Sequence, residues 1–139
     1  MSITIAERLK TAGLRPTRQR IMLGSLLWGA EHDQHVTAEA LHHQAQDERM
    51  QVSLATVYNT LHQFTNAGLL REVVVDAGRS YFDTNIEPHH HFLCEATGEL
   101  SDIAAEMVDI SAIPTPPEGC EISAVDVVIR VRPTKSNCH

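Results

Sequence analysis

The stretch SLATVYNTLHQFTNAGLL, residues 53–70, decides the fold. Leu54, Val57, Leu61 and Phe64 recur at helical spacing and form one apolar stripe. Ser53 supplies an N-cap oxygen and Gly68 a stop. The remaining positions of the helix, Ser53, Ala55, Thr56, Tyr58, Asn59, His62 and Gln63, are small, polar or aromatic. The spacing therefore predicts a helix with one buried face and one face rich in hydrogen-bonding groups.

Upstream, residues 4–12 read as a short helix with Ile5, Leu9 and Ala12 inward, ended by Gly13. Pro16-Thr17 opens a second helix, with Thr17 as cap and Leu23, Leu26, Leu27 and Ala30 on one stripe. Val36-Thr37-Ala38-Glu39 opens a third, with Thr37 as cap and Ala38, Leu41 and Ala45 inward. Downstream, Leu70–Asp76 and Ser80–Asp83 are β-rich runs about the turn Ala77-Gly78-Arg79, which is a hairpin signal. Helices closed by a two-stranded hairpin describe a winged helix-turn-helix.

Residues 84–88 read as a hinge. Beyond it, His90–Cys94 and Glu99–Ile103 are expected strands and Ala104–Ile110 a short helix. Three prolines exclude regular structure over 113–119. Glu121–Val131 is the strongest expected strand, because Val125, Val127, Ile129 and Val131 alternate. The expected class is α+β: an N-terminal winged helix-turn-helix over 1–83, a small C-terminal α/β domain over 89–132, and a tail over 133–139. So small a second domain has little core of its own. Its long edge-capable strand suits pairing with a second copy, so a homodimer is expected, with a tetramer left open.

The chain carries 11 Lys+Arg against 18 Asp+Glu, a net charge of −7. That excludes a basic coat protein or a basic membrane-surface protein. The charge is unevenly spread: residues 1–71 total +1, residues 72–139 total −8, and residues 1–30 alone total +4. No apolar run reaches the ~20 residues that span a bilayer. MSITIAERLKTAG lacks the apolar centre of a signal peptide, so a cytoplasmic protein without a membrane partner is expected. Cys94, Cys120 and Cys138 are an odd, sparse set without CxxC, which implies neither a disulfide framework nor a four-cysteine zinc.

In a winged helix the second helix of the turn motif enters the major groove. On residues 53–66, Asn59 and Gln63 can pair with adenine edges, while small or aromatic groups such as Thr56 and Tyr58 can meet thymine methyls. The reading favours A/T-rich double-stranded DNA. Arg15, Arg18 and Arg20 suit phosphate contacts, or a minor-groove insertion for Arg15. Among nine histidines, the run His89-His90-His91 stands out. On a strand, His89 and His91 share a face and could take one metal, while His90 points the other way. Imidazole and carboxylate donors suit Fe2+, Mn2+ and Zn2+. No HExxH and no matched acid/base pair speaks for an enzyme, so none is expected.

GLRPTRQR (13–20), HVTAE (35–39), the 53–70 stretch and HHHFLC (89–94), in that order, resemble the ferric uptake regulator (Fur) family over about residues 5–103. The resemblance implies a dimeric metal-sensing repressor with an N-terminal winged helix and a C-terminal dimerisation domain. It puts the base-reading tyrosine at Tyr58 and the minor-groove basic residue at Arg15, with Asn59 where arginine is common. It also implies a regulatory metal site of His35, Asp83, His89, His91 and Asp102, with Asp at 83 as in the peroxide-sensing members. Fe2+ or Mn2+ is the implied metal, with Zn2+ as an in vitro substitute.

Two departures matter. Cys94 with Thr97 replaces the first CxxC of most members and the second is absent, so no CxxC structural zinc is expected. With the histidine triplet, this is similar to the iron response regulator (Irr) branch of alphaproteobacteria, whose members control haem and iron genes and in several cases respond to haem. The family's second metal site falls on Pro88, His90, Asp109 and Val125, so two of its four ligands are missing and His90 is freed. Haem, or a haem-delivering enzyme, is thus a candidate partner, with His89, His90 and His91 as candidate haem ligands. The competing reading is a peroxide sensor, in which Fe2+ at the five-ligand site drives oxidation of His35 or His89.

Overall fold

The computed structural model describes residues 3–30, 32–76 and 79–134. The chain divides into two compact units, Met1–Ile86 and Glu87–His139. The first contains α1 (Ile5–Thr11), α2 (Arg18–Trp28), β1 (His35–Val36), α3 (Ala38–Asp47), α4 (Leu54–Asn66), β2 (Arg71–Asp76) and β3 (Arg79–Asp83). Every helix start is written in a hydroxyl. Thr4, Thr17, Thr37 and Ser53 are N-caps whose side chains accept the N–H of Glu7, Arg20, Ala40 and Thr56. At α1 the Glu7 carboxylate also accepts the Thr4 N–H, which completes a capping box. Gly13 and Gly68 follow α1 and α4 at φ 84° and 81°, a conformation that side chains with a Cβ strain to reach.

The helices enclose one core. Leu9, Leu23, Leu27, Leu41, Val57, Leu61 and Phe64 are fully buried in it, each contributing about 1.5–3 kcal/mol on burial. Helices α1 and α2 meet at Gly24, where an added Cβ would lie 2.8 Å from the Ile5 side chain. Trp28 packs on Phe64 with ring centroids 5.1 Å apart, and the Arg8 guanidinium lies 5.0 Å from the Trp28 ring. Two residues depart from the expected stripes. Leu54 is 37% exposed, because the first residue of α4 precedes the turn that meets the core. Helix α2 ends at Trp28, which leaves Ala30 outside it and exposed.

The wing has three strands where two are expected. Strands β2 and β3 pair antiparallel, and β1 adds to the far side of β3, giving the order β1-β3-β2. Arg79 already belongs to β3, and turn residues 77–78 lie outside the described residues. A two-residue strand is too short to show alternation, which is why Val36 reads from sequence as a helix start. Gln34 anchors it. Its N–H donates to Thr84 Oγ1 at 2.9 Å, its carbonyl accepts the Thr84 N–H at 2.9 Å, and its carboxamide donates to the Leu26 and Leu27 carbonyls. Those carbonyls end α2 and need such donors.

The second unit is a three-stranded sheet of order β5-β4-β6. Strand β4 (His89–Cys94) is central, antiparallel to β5 (Leu100–Ala104) and parallel to β6 (Val128–Val131). The helix expected over 104–110 is only a 3-10 turn, Ala105–Met107. Ala104 ends β5 and has no capping oxygen to start a helix. The strand expected over 121–131 is β6 alone, because only Val128–Val131 run beside β4 and alternation without a neighbouring strand makes no ladder. Residues 113–117 are irregular, as the prolines require. Of the expected tail, 135–139 lie outside the described residues. Cys94 is disulfide-bonded and Cys120 is free and exposed; a single bridge is less than the disulfide framework that the sequence speaks against. Spacing along a chain says little about separation in space. No helix among the described residues is long and apolar enough to cross a membrane.

Candidate metal centre and nucleic-acid face

Strand alternation sends His89 and His91 to one face of β4. On β5, Asp102 is the Cα partner of His91, so its carboxylate rises on that same face. Asp102 Oδ1 lies 3.4 Å from His91 Nε2 and 3.6 Å from His89 Nε2. The two imidazole centroids are 4.5 Å apart, and the ligand atoms of all three residues fall within 4.8 Å of one another. His91 is wholly buried and His89 nearly so, while Asp102 is about half exposed and gives the cluster a solvent side. His89 Nδ1 sits 2.6 Å from the Glu87 carbonyl. A carbonyl only accepts, so Nδ1 carries a proton, and in the neutral ring that leaves the lone pair on Nε2, on the side of Asp102. The sequence gives no sign of this backbone partner, which fixes the tautomer a metal ligand needs. Two imidazoles and a carboxylate fit Fe2+, Mn2+ or Zn2+ by donor type.

His35 and Asp83 meet in the first unit. They are Cα partners across β1 and β3, which puts their side chains on one face. Asp83 is fully buried, and its Oδ1 accepts the Asn85 N–H at 2.9 Å. The His35 ring stands edge-on to Tyr81, with centroids 6.1 Å apart. Of the five candidate ligands, His35 and Asp83 belong to the first unit and His89, His91 and Asp102 to the second.

His90 does what its opposite direction implies. It is buried, and its Nδ1 accepts the Val127 N–H at 3.1 Å. That bond continues the attachment of β6 to β4 one residue beyond the paired strand. The candidate haem ligands His89, His90 and His91 are therefore interior strand residues rather than an open loop.

The candidate DNA-contacting residues divide. Arg15, Arg20, Thr56 and Asn59 line one cleft of about 440 Å3, with Thr17 and Gln63. Arg18 lines another, of about 360 Å3, with Arg49, Met22 and Met50. Ser53 spends its hydroxyl on the helix cap, accepting the Thr56 N–H at 3.1 Å and donating to Thr56 Oγ1 at 2.9 Å. Tyr58 is half-buried against the core, and its ring stacks on His62 at 6.0 Å. His62 in turn meets Phe82 edge-on at 5.4 Å, which links the helix to the wing. Gln63 binds the Arg20 guanidinium, a pairing 43 positions apart that no sequence pattern signals.

A capped helix-turn-helix with a β-wing, in one chain with a buried histidine–carboxylate cluster, defines a winged-helix regulator that senses a metal. Known proteins agree. The ferric uptake regulator family profile matches residues 11–129. The ferric uptake regulation protein of Vibrio anguillarum is 34% identical over 104 residues, covering 74% of this chain and 69% of that protein. The peroxide-responsive repressor PerR of Staphylococcus epidermidis is 31% identical over 101 residues, covering 73% and 66%. The structure of the ferric uptake regulator from Pseudomonas aeruginosa with manganese is similar at a TM-score of 0.71 and 29% identity, covering 96% of this chain and 100% of that one. The chain belongs to the ferric uptake regulator family of metal-responsive transcription regulators.

Proposed function

We propose that the protein is a homodimeric, metal-gated regulator of iron and haem genes, of the iron response regulator type, that binds A/T-rich operators. The observation that carries the reading is the triad of His89, His91 and Asp102, prearranged by strand pairing and by the Glu87 carbonyl. His35 and Asp83 complete the ligand set. A bound Fe2+ or Mn2+ supplies positive charge that offsets the two carboxylates and a fixed coordination geometry. Ligands drawn from both units favour one arrangement of the winged helix, and that arrangement is the one that fits DNA. Tyr58 and Asn59 read bases and Arg15 enters the minor groove. Arg18, Thr56 and the Ser53 end of α4 face the backbone.

Exposed Phe92 and Ile129 support the homodimer. They are Cα partners on neighbouring strands, so they form one apolar face that a second copy would cover.

The test is titration with Mn2+, followed by calorimetry and by anisotropy of a labelled A/T-rich duplex. Wild type should bind the duplex tightly only with metal. His91→Ala should lose at least about tenfold in metal affinity and most of the metal dependence. Unchanged metal affinity with unchanged DNA binding sinks the proposal.

Two finer readings divide on chemistry. The likeness to a peroxide-responsive repressor and the Asp at 83 support peroxide sensing. Peroxide treatment of the Fe2+-loaded protein should then add one oxygen atom to His35 or His89, as read by mass spectrometry. Haem sensing draws support from the triplet itself, but haem held by His90 would have to break the bond from Val127.

A further inference from the structure

Arg20 reads from sequence as a phosphate ligand, but its guanidinium is engaged within the protein. Nε and Nη2 both donate to Gln63 Oε1, at 3.3 Å and 3.0 Å, and Nη1 donates to the Arg15 carbonyl at 2.9 Å. One planar fork thus joins α4, the helix that faces DNA, to the segment carrying Arg15. That segment is held on both sides. Leu14 packs on the core, and its N–H donates to the Leu9 carbonyl at 2.8 Å. The Thr17 N–H donates to the same Arg15 carbonyl at 2.9 Å, and Thr17 caps α2. By contrast, the Arg15 side chain is exposed and makes no hydrogen bond or ion pair among the described residues. The backbone of Arg15 is fixed while its guanidinium is available, which is how a preorganised contact is built.

We propose that Arg20 is a positioning residue that sets the distance between the Arg15 arm and the reading face of α4. It acts through Gln63 and Arg15 and not by binding phosphate. The operator is then recognised through two coupled contacts, Arg15 in one groove and Tyr58 with Asn59 in the next, whose spacing the Arg20 fork holds. Lysine cannot replace it, because an ammonium has no fixed fork to span both acceptors.

The proposal rests on the DNA-binding reading above, and the experiment separates the two. The probes are an A/T-rich duplex enriched from random sequence by the wild-type protein with Mn2+ and a scrambled duplex of equal length. Arg20→Lys, Arg20→Met and Gln63→Met are each expected to weaken enriched-duplex binding about tenfold, the loss of a charge-assisted hydrogen bond. The scrambled duplex should weaken much less, and thermal melting should stay close to wild type. The salt dependence of binding should keep its slope in all three variants. In an Arg15→Ala background, Arg20→Met should add less than about twofold, since contacts acting as one unit are not additive. A phosphate-binding Arg20 gives the reverse pattern. Arg20→Lys would then bind like wild type, Gln63→Met would be silent, and Arg20→Met would lower the salt slope by about 0.9. That pattern overturns the proposal. If wild type fails to distinguish the two duplexes, the DNA-binding reading itself falls.

Discussion

The two units bury different chemistry. In the first, the interior is chiefly aliphatic and aromatic, with Leu9, Leu61, Phe64 and Phe82 among its fully buried side chains and Asp83 as its buried carboxylate. In the second, the buried strand is His89-His90-His91, flanked by little apolar surface beyond Leu93, Leu100 and Ile103. The first unit draws its stability chiefly from apolar area removed from water. The second places polar rings where hydrophobes usually sit, and buried polar groups stabilise only when their partners are present. An apolar interior and a polar one that calls for a partner therefore stand in one chain, as the proposed division into reader and sensor requires.

The largest expected effect tests the aliphatic side. Phe64→Ala should cost about 3–5 kcal/mol. The loss should be equal with and without Mn2+, and amide exchange should rise across α1–α4 while β4 keeps its protection. Equal loss of protection in both units would break the contrast. Next in size is Ile129→Asp, which puts a charge on the apolar face beside Phe92. Sedimentation should show dimerisation weakened about a hundredfold, while the melting of the winged-helix unit stays unchanged. A dimer as tight as wild type would assign that face another role. The smallest effect is Ser53→Ala, which removes the cap of α4 and should cost about 1 kcal/mol by thermal melting. Because the Ser53 hydroxyl is already bonded to Thr56, the enriched duplex should bind at nearly unchanged affinity. A tenfold loss without a matching stability loss would make the Ser53 hydroxyl itself a DNA contact, beyond the backbone amides at that end of α4.

The same contrast explains what was legible in the sequence. The first unit shows itself because caps and stripes are local: Thr17, Thr37 and Ser53 sit where a hydroxyl must begin a helix, and Val57, Leu61 and Phe64 recur at helical period. The second unit depends on pairing between distant strands. Alternation from Val125 to Val131 is plain in the sequence, but only Val128–Val131 have a neighbour, and which residues find one is a tertiary fact. The candidate metal cluster is half legible. His89 and His91 follow from the strand period, whereas Asp102 came from family resemblance and stands in place because β5 registers it opposite His91. The Gln34 bonds to Thr84 and the Arg20 fork to Gln63 were invisible, because each joins residues far apart by side chains with no pattern of their own.

The parallel pairing of β4 with β6 also sets an order of events. Parallel strands need a long connection, and contacts of high sequence separation form slowly. Every contact of the winged-helix core lies upstream of residue 83, so that unit can fold while the chain is still being made. The histidine strand has to wait. Until Val127–Val131 leave the ribosome, His90 has no Val127 N–H to accept and β4 has one open edge. A newly made chain thus holds a finished winged helix before its histidine strand is closed, and ribosome-stalled chains with Val127–Val131 inside and outside the exit tunnel should differ in the protection of β4.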